Sequence, residues 1–309
     1  MSALSVEGLV RDFSVGGRRL RAVDGVDLDV GRGETLGIVG ESGCGKSTLA
    51  RLMLRLIAPT AGRIRIGGED VTGLSEAAMR PRRRMIQAVF QDPVSSLNPR
   101  WTVRDIIAEP LRGVGRAEAD ARVMELLALV GLPGEAASRY PHAFSGGQRQ
   151  RIAIARALAP SPDVIICDEA TSALDVSVQA QILNLLAELQ GRLGLSIVFV
   201  SHNLGAVRHV SQRVAVMYLG RIVEIGPEDA IFDRPAHPYT QALLAAQPEA
   251  VADAPREPPL LGEVPSPLDR PGGCHFHPRC PRAAARCAVE DPTLAEFGAR
   301  HAVRCFYPG

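Results

Sequence analysis

The chain has 309 residues, 46% apolar and 22% charged, which suits a sizeable core, a solvated surface and two domains or one domain with an appendage. Its 35 basic against 34 acidic residues leave a net charge of +1, so no global basic field points to nucleic acid. No charged-then-apolar leader opens the sequence, and no apolar run approaches the roughly 18 residues of a bilayer span. A cytoplasmic location is therefore expected, with any membrane role acting through partners, and six cysteines then suggest metal or redox chemistry before disulfides.

Residues 4–35 carry LSVEGLV and the alternating VDGVDLDV, the pattern of half-buried antiparallel strands. Phe13 lies between them, either stacking on a ring such as adenine or filling the sheet core. The apolar run ETLGIV then predicts a buried strand, and STLARLMLRLI a helix. Between them stands GESGCGKST, which fits G-x-x-x-x-G-K-[ST] through Gly40, Gly45, Lys46 and Ser47. Gly43 and Gly45 permit a tight turn that aims N–H groups at phosphate oxygens, at the positive end of the new helix. Lys46 would reach the β- and γ-phosphates and Ser47 would ligate Mg²⁺. Ser42, Cys44 and Thr48 complete the predicted nucleotide contacts, and oxidation of Cys44 could block them.

GRIRIGG, 62–68, predicts a strand ending in a turn, and the basic run Arg80, Arg82, Arg83 and Arg84 a solvated helix end. MIQAVFQ reads as a strand ending at Gln91, before an Asp92-Pro93 turn. The pattern is helical from Val103 to about Leu132, with Gly131 and Pro133 as its stop. In FSGGQRQRIAIARALA, Ser145, Gly146, Gly147 and Gln148 open a helix whose backbone amides can bind an anion. VIICDEA is a strand ending in Asp168 and Glu169; a carboxylate there, in a chain with a P-loop, is the expected second Mg²⁺ ligand. SALD, Ser172 to Asp175, leads to another helix, and SIVFVSHN gives a strand ending at His202, expected at the same sheet edge as Lys46 and Asp168.

Taken together and in this order, these motifs resemble the nucleotide-binding subunits of ABC transporters, from about Leu4 to Pro248 and on into the tail. The resemblance implies an α/β fold: a RecA-like P-loop NTPase core with an antiparallel β subdomain, a helical insertion at about 95–158, and an ATPase domain over 1–235. Such subunits dimerise head to tail, so Ser145 and Gly147 would bind the γ-phosphate of ATP held by the partner's P-loop. Asp168 would hold Mg²⁺ through water, Glu169 would polarise the attacking water, and His202 would hold the γ-phosphate. Gln91 would sense Mg²⁺ beside the groove for a permease helix, and Asp175 would link the two sites. Phe144 stands where leucine is commoner in the signature.

The remainder, 236–309, resembles the tail of dipeptide, oligopeptide and nickel importer ATPases: His237-Pro238-Tyr239, a short helix, a proline-rich linker over 253–273, and a cysteine-bearing end. VFQDPVSSLNPR resembles the second of their two paired ATPases. This implies a heterodimer with another ATPase, two transmembrane permeases, an extracytoplasmic binding protein, and a place at the cytoplasmic membrane face. Cys274, Cys280, Cys287 and Cys305 are spaced C-x5-C-x6-C-x17-C, wider than zinc's usual C-x2-C, which favours a [4Fe–4S] cluster over structural zinc or free thiols. His275 and His277 are alternative ligands, and Cys167 reads as a small core residue. The cargo stays open between peptides and nickel or a metal chelate, because the ATPase does not touch it. A soluble ABC ATPase acting on DNA or ribosomes is opposed by the near-neutral charge, the single ATPase module and the tail.

Overall fold

The computed structural model describes residues 2–111, 113–246 and 263–309. The linker expected over 253–273 lies partly outside these; its described part, 263–273, holds no helix or strand. The strands are β1 (Ser2–Val15), β2 (Arg18–Gly31), β3 (Thr35–Val39), β4 (Ala61–Ile66), β5 (Glu69–Asp70), β6 (Ile86–Phe90), β7 (Val164–Asp168), β8 (Ser196–Val200), β9 (Arg213–Tyr218), β10 (Arg221–Pro227), β11 (Ala295–Gly298) and β12 (His301–Val303). The helices are α1 (Lys46–Met53), α2 (Glu76–Met79), α3 (Pro93–Ser96), α4 (Val103–Ala108), α5 (Arg116–Leu129), α6 (Gly146–Leu158), α7 (Val176–Leu193), α8 (Leu204–Val210), α9 (Glu228–Asp233), α10 (Pro238–Ala245) and α11 (Ala285–Val289). They group into two compact units: residues up to Ser5 with Asp29–Thr35 and Arg65–Val200, and Val6–Leu28 with Leu36–Ile64 and Ser201–Gly309.

In the first unit β6, β7 and β8 form a parallel ladder with Phe90 opposite Asp168 and Asp168 opposite Val200. VIICD and SIVFV are buried along their whole length, as parallel strands covered on both faces must be. The helical stretch expected from Val103 to Leu132 is broken into α4, a 3-10 turn at Glu109–Leu111, and α5. Pro110 withholds an N–H and Gly113 turns left-handed at φ 94°, so one continuous helix cannot form. The Arg80–Met85 segment departs from a simple solvated helix end: it is a 3-10 turn whose half-buried Arg82 and Arg83 pair with Glu69 and Glu76 at 2.7 and 3.0 Å.

In the second unit β3 runs parallel to β9, with β10, β12 and β11 following antiparallel. The chain's last strands thus continue the ladder that begins with the P-loop strand: Glu224 of β10 stands opposite Val303 of β12. Gly16 and Gly17, at φ 57° and 77°, join β1 to β2 in the two-residue left-handed turn that matches strand twist.

Candidate functional site

The glycine loop leaves buried β3 and enters α1, and its shape demands glycine at its ends. A Cβ on Gly40 would lie 2.2 Å from the Met217 carbonyl, and one on Gly45, at φ 109°, 2.3 Å from that of Ala22. Ser42 and Gly43 are exposed at the apex. Lys46 is 5% exposed, and its Nζ donates to the Gly40 and Glu41 carbonyls at 2.7 and 3.0 Å. Ser47 and Thr48 are half-buried in the first turn of α1. Cys44 is buried, and burial pushes its thiol above the ordinary range although the Lys46 ammonium opposes this. That environment disfavours the thiolate that oxidation requires, against the expectation of a redox-sensitive loop.

Within the same unit the Ser201 N–H donates to the Ile38 carbonyl at 3.2 Å, which brings the exposed His202 segment beside the end of β3. Phe13 is half-buried at the end of β1 and is not a sheet-core aromatic; the Arg11 guanidinium lies 4.5 Å from its ring centroid.

In the other unit the register of β6 and β7 sets Gln91, just past Phe90, beside the Asp168–Glu169 strand end. Asp168 is 8% exposed. Glu169 is held at φ 50°, an uncommon conformation for a residue with a Cβ. Its N–H donates to the Val200 carbonyl at 2.9 Å, and its own carbonyl accepts from the Ser172 N–H and hydroxyl at 3.1 and 3.0 Å. The turn thereby holds the Glu169 backbone in that conformation. Asp175 caps α7, accepting from the Val178 N–H at 3.0 Å. Ser145 and Gln148 form a reciprocal capping box on α6, at 3.3 and 3.1 Å, and leave Ser145, Gly146 and Gln148 exposed. Gly147 lets α6 approach α7; a Cβ there would meet Val178 Cγ1 at 2.4 Å.

The tail belongs to the unit that holds the glycine loop. Cys274, Cys280, Cys287 and Cys305 are all free thiols and line one small cavity together with Phe276, Phe306 and His277. Burial raises the Cys274 thiol to about 11, and the three other cysteines push it in the same direction. Among the described residues no group of three or more His, Cys, Asp or Glu side chains is set to hold a metal ion. His275 does not line that cavity, and burial lowers it to about 4. Cys167 is a core residue, its thiol pushed up to about 12 by burial.

Three contacts that tie the tail to the rest of its unit are not predicted by the sequence. Glu224, 0% exposed, accepts from the Ala236 and His237 N–H groups at 2.8 and 3.0 Å and contacts His301 Nε2 at 2.8 Å. Arg279 clasps the Glu41 carboxylate of the glycine loop, and the Tyr239 hydroxyl accepts from the Glu41 N–H. The signals in the sequence are Glu224 itself, a charge inside the apolar run RIVEIG, and Tyr239 in the His237-Pro238-Tyr239 motif.

Residues 23–172 match the ABC transporter family, and residues 223–287 match the C-terminal region of oligopeptide/dipeptide transporters. A protein of Sinorhizobium fredii named as a peptide ABC transporter ATP-binding protein is 56% identical over 292 residues, covering 93% of this chain and 82% of its own. A Brucella abortus protein named for peptide import is 53% identical over 304 residues, covering 95% and 91%. Among solved structures, part of the cbiONQ ABC transporter complex from Clostridium perfringens has a TM-score of 0.69 at 31% identity, covering 75% of this chain and 91% of that one. A dimeric ATP-binding cassette with ADP and Pi, in a post-hydrolysis state, gives 0.67 at 31% identity, covering 73% and 98%.

Proposed function

Because the chain belongs to the ABC transporter ATP-binding proteins of peptide import, we propose that it hydrolyses ATP to power uptake of di- or oligopeptides through membrane permease subunits. The observation that carries this reading is the glycine loop: a left-handed backbone turn between a buried strand and a helix, with a buried lysine at its base. ATP binds there, its phosphates held by Lys46 and by N–H groups of the Gly40–Thr48 loop other than that of Glu41, which donates to Tyr239, with Phe13 stacked on the adenine.

Ser47, Gln91 and Asp168 each carry an oxygen donor, the chemistry that suits Mg²⁺, and are the residues that would hold it. When bound, Mg²⁺ neutralises charge on the phosphate oxygens. Glu169 accepts the proton of the attacking water, and His202 donates a hydrogen bond to the γ-phosphate as charge spreads over its oxygens. Ser145, Gly146, Gly147 and Gln148 contact the nucleotide held by a partner ATPase, a role supported by their exposed helix start, and Asp175 joins the paired sites. The partner is a second ABC ATPase subunit, this chain resembling the second of a pair, and substrate arrives from an extracytoplasmic binding protein. The working location is the cytoplasmic membrane face. The ATPase domain spans 1–235, with its helical insertion at about 95–158, and the importer-type tail spans 236–309.

The four tail cysteines are the residues that would hold a [4Fe–4S] cluster, with zinc the lesser fit. Their lining of one cavity supports this, although as free thiols they are not arranged around a metal position; binding would deprotonate them, and the cation would then offset four adjacent thiolates. A cluster would supply a covalent staple for the tail. Equal amounts of iron and acid-labile sulfide in anaerobically purified protein, lost on Cys274→Ser, are the expected result; zinc alone means a structural staple, and the absence of both metals would overturn the assignment.

The transport assignment is tested in cells. Replacing the chain by Lys46→Ala should abolish ATP-dependent peptide uptake, and the wild type should co-purify with integral membrane proteins. Undiminished uptake, or exclusive sedimentation with ribosomes, would overturn it.

A further inference from the structure

Glu41 occupies a position that the phosphate-binding motif leaves open, yet its carboxylate, N–H and carbonyl are all engaged. Its carboxylate receives both ends of the Arg279 guanidinium at 2.8 and 3.0 Å. Its N–H donates to the Tyr239 hydroxyl at 2.9 Å, and its carbonyl accepts from Lys46 Nζ at 3.0 Å. Arg279 is 6% exposed and Tyr239 is fully buried. Arg279 ends the 3-10 turn His277–Arg279, between Cys274 and Cys280, and its guanidinium rests against the rings of Tyr218 and Phe276. Tyr218, Tyr239 and Phe276 pack on one another at centroid distances of 4.6 to 5.4 Å. A run of tail side chains therefore ends on the loop.

Two physical consequences follow. A loop with left-handed glycines has many conformations, and the cost of ordering it is subtracted from ligand affinity unless the protein has already fixed it. A carboxylate in a phosphate cradle also repels a triphosphate unless a cation beside it cancels its charge. A bidentate arginine meets both needs, since it fixes the carboxylate's orientation and stays charged at every working pH.

We propose that Arg279 and Tyr239 are positioning residues of the nucleotide site, which hold and neutralise Glu41 so that the tail sets the chain's affinity for ATP. The proposal rests on the glycine loop being the ATP site. It makes Arg279→Met worse than Glu41→Gln, because only the former leaves an uncompensated carboxylate in the cradle, and it predicts that the double variant regains affinity.

The test is ATP binding by the full-length chain, measured with a fluorescent ATP analogue, beside the KM and kcat of hydrolysis. Arg279→Met should weaken binding and raise KM about tenfold, within the range of site-to-site coupling, with kcat unchanged. Adding Glu41→Gln should bring affinity back to within about threefold of the wild type. Should Arg279→Met fail to fold, Arg279→Lys keeps the charge but not the fork, and a smaller rise in KM at constant kcat is expected. Wild-type affinity in the folded Arg279 variant would overturn the proposal. So would a double variant as weak as Arg279→Met, since that result belongs to an arginine that merely packs the tail. Lys46→Ala separates the two levels: if the wild type binds ATP no better than Lys46→Ala, the reading of the loop fails; if it binds better and Arg279→Met has no effect, only the coupling fails.

Discussion

Two helices of this chain begin on glycine-rich turns suited to anions, and they are built in opposite ways. The start of α1 is embedded: the Met217 and Ala22 carbonyls leave no room for a Cβ at Gly40 and Gly45, its lysine is buried, and tail residues hold Glu41. The start of α6 is self-sufficient and exposed, capped by its own Ser145 and Gln148. An embedded cradle shaped by distant residues can complete a binding site within its own unit. An exposed start whose cap needs nothing beyond the first turn is suited to offering its free amides to another molecule, which fits a nucleotide shared between subunits.

Substitution should break the two sites differently. Gly45→Ala forces a Cβ against backbone at φ 109°, so ATP binding should fall at least about a hundredfold, as expected when strain and a displaced cradle combine. Gly146→Ala meets only Leu174 Cδ2 at 3.3 Å, so its melting temperature should hold or rise; calorimetry beside ATP titration checks the pair. Next in size is Glu224→Ala, which removes a buried acceptor from two N–H groups and His301. Chemical denaturation should show a loss of about 3 kcal/mol. ATP affinity should fall with it if the tail props the loop, while the α6 side is spared.

Acid should act in the same direction. Burial lowers His237 to about 3 from 6.5, and its Nδ1 accepts from the Tyr239 N–H. The unfolded chain binds the proton first. This contribution to stability is therefore complete above pH 6.5 and is lost as pH falls from 6.5 toward 3, which thermal melts across that window should register. His237→Gln should flatten the slope. Smallest is Ser145→Ala, which loses one cap at a cost of about 1 kcal/mol, read as a lower denaturation midpoint with the Gly40 loop still binding ATP.

What was legible in the sequence was local. The glycine loop, the signature start and the Asp168–Glu169 strand end are short runs whose residue types dictate their backbone, and apolar runs marked β3, β7 and β8. The left-handed Glu169 was not legible, because its conformation is imposed by Val200 and Ser172 and not by its own side chain. Arg279 and Tyr239 lie 238 and 198 residues from Glu41, so no spacing rule reaches them. The arginine run 80–84 read as solvated because its partners Glu69 and Glu76 are supplied by a fold that spacing does not reveal. The tail cysteines could be grouped by composition, whereas their shared cavity depends on the turn at His277–Arg279 and on the return of the chain to Cys305.

Glu169 is the group proposed to activate water for ATP hydrolysis. Single-turnover hydrolysis and ATP binding by Glu169→Gln, beside the wild type and in the presence of Mg²⁺, test this role most directly. Equal affinity and hydrolysis slowed at least about a hundredfold are expected, the scale of a lost general base. Wild-type turnover by Glu169→Gln would contradict it.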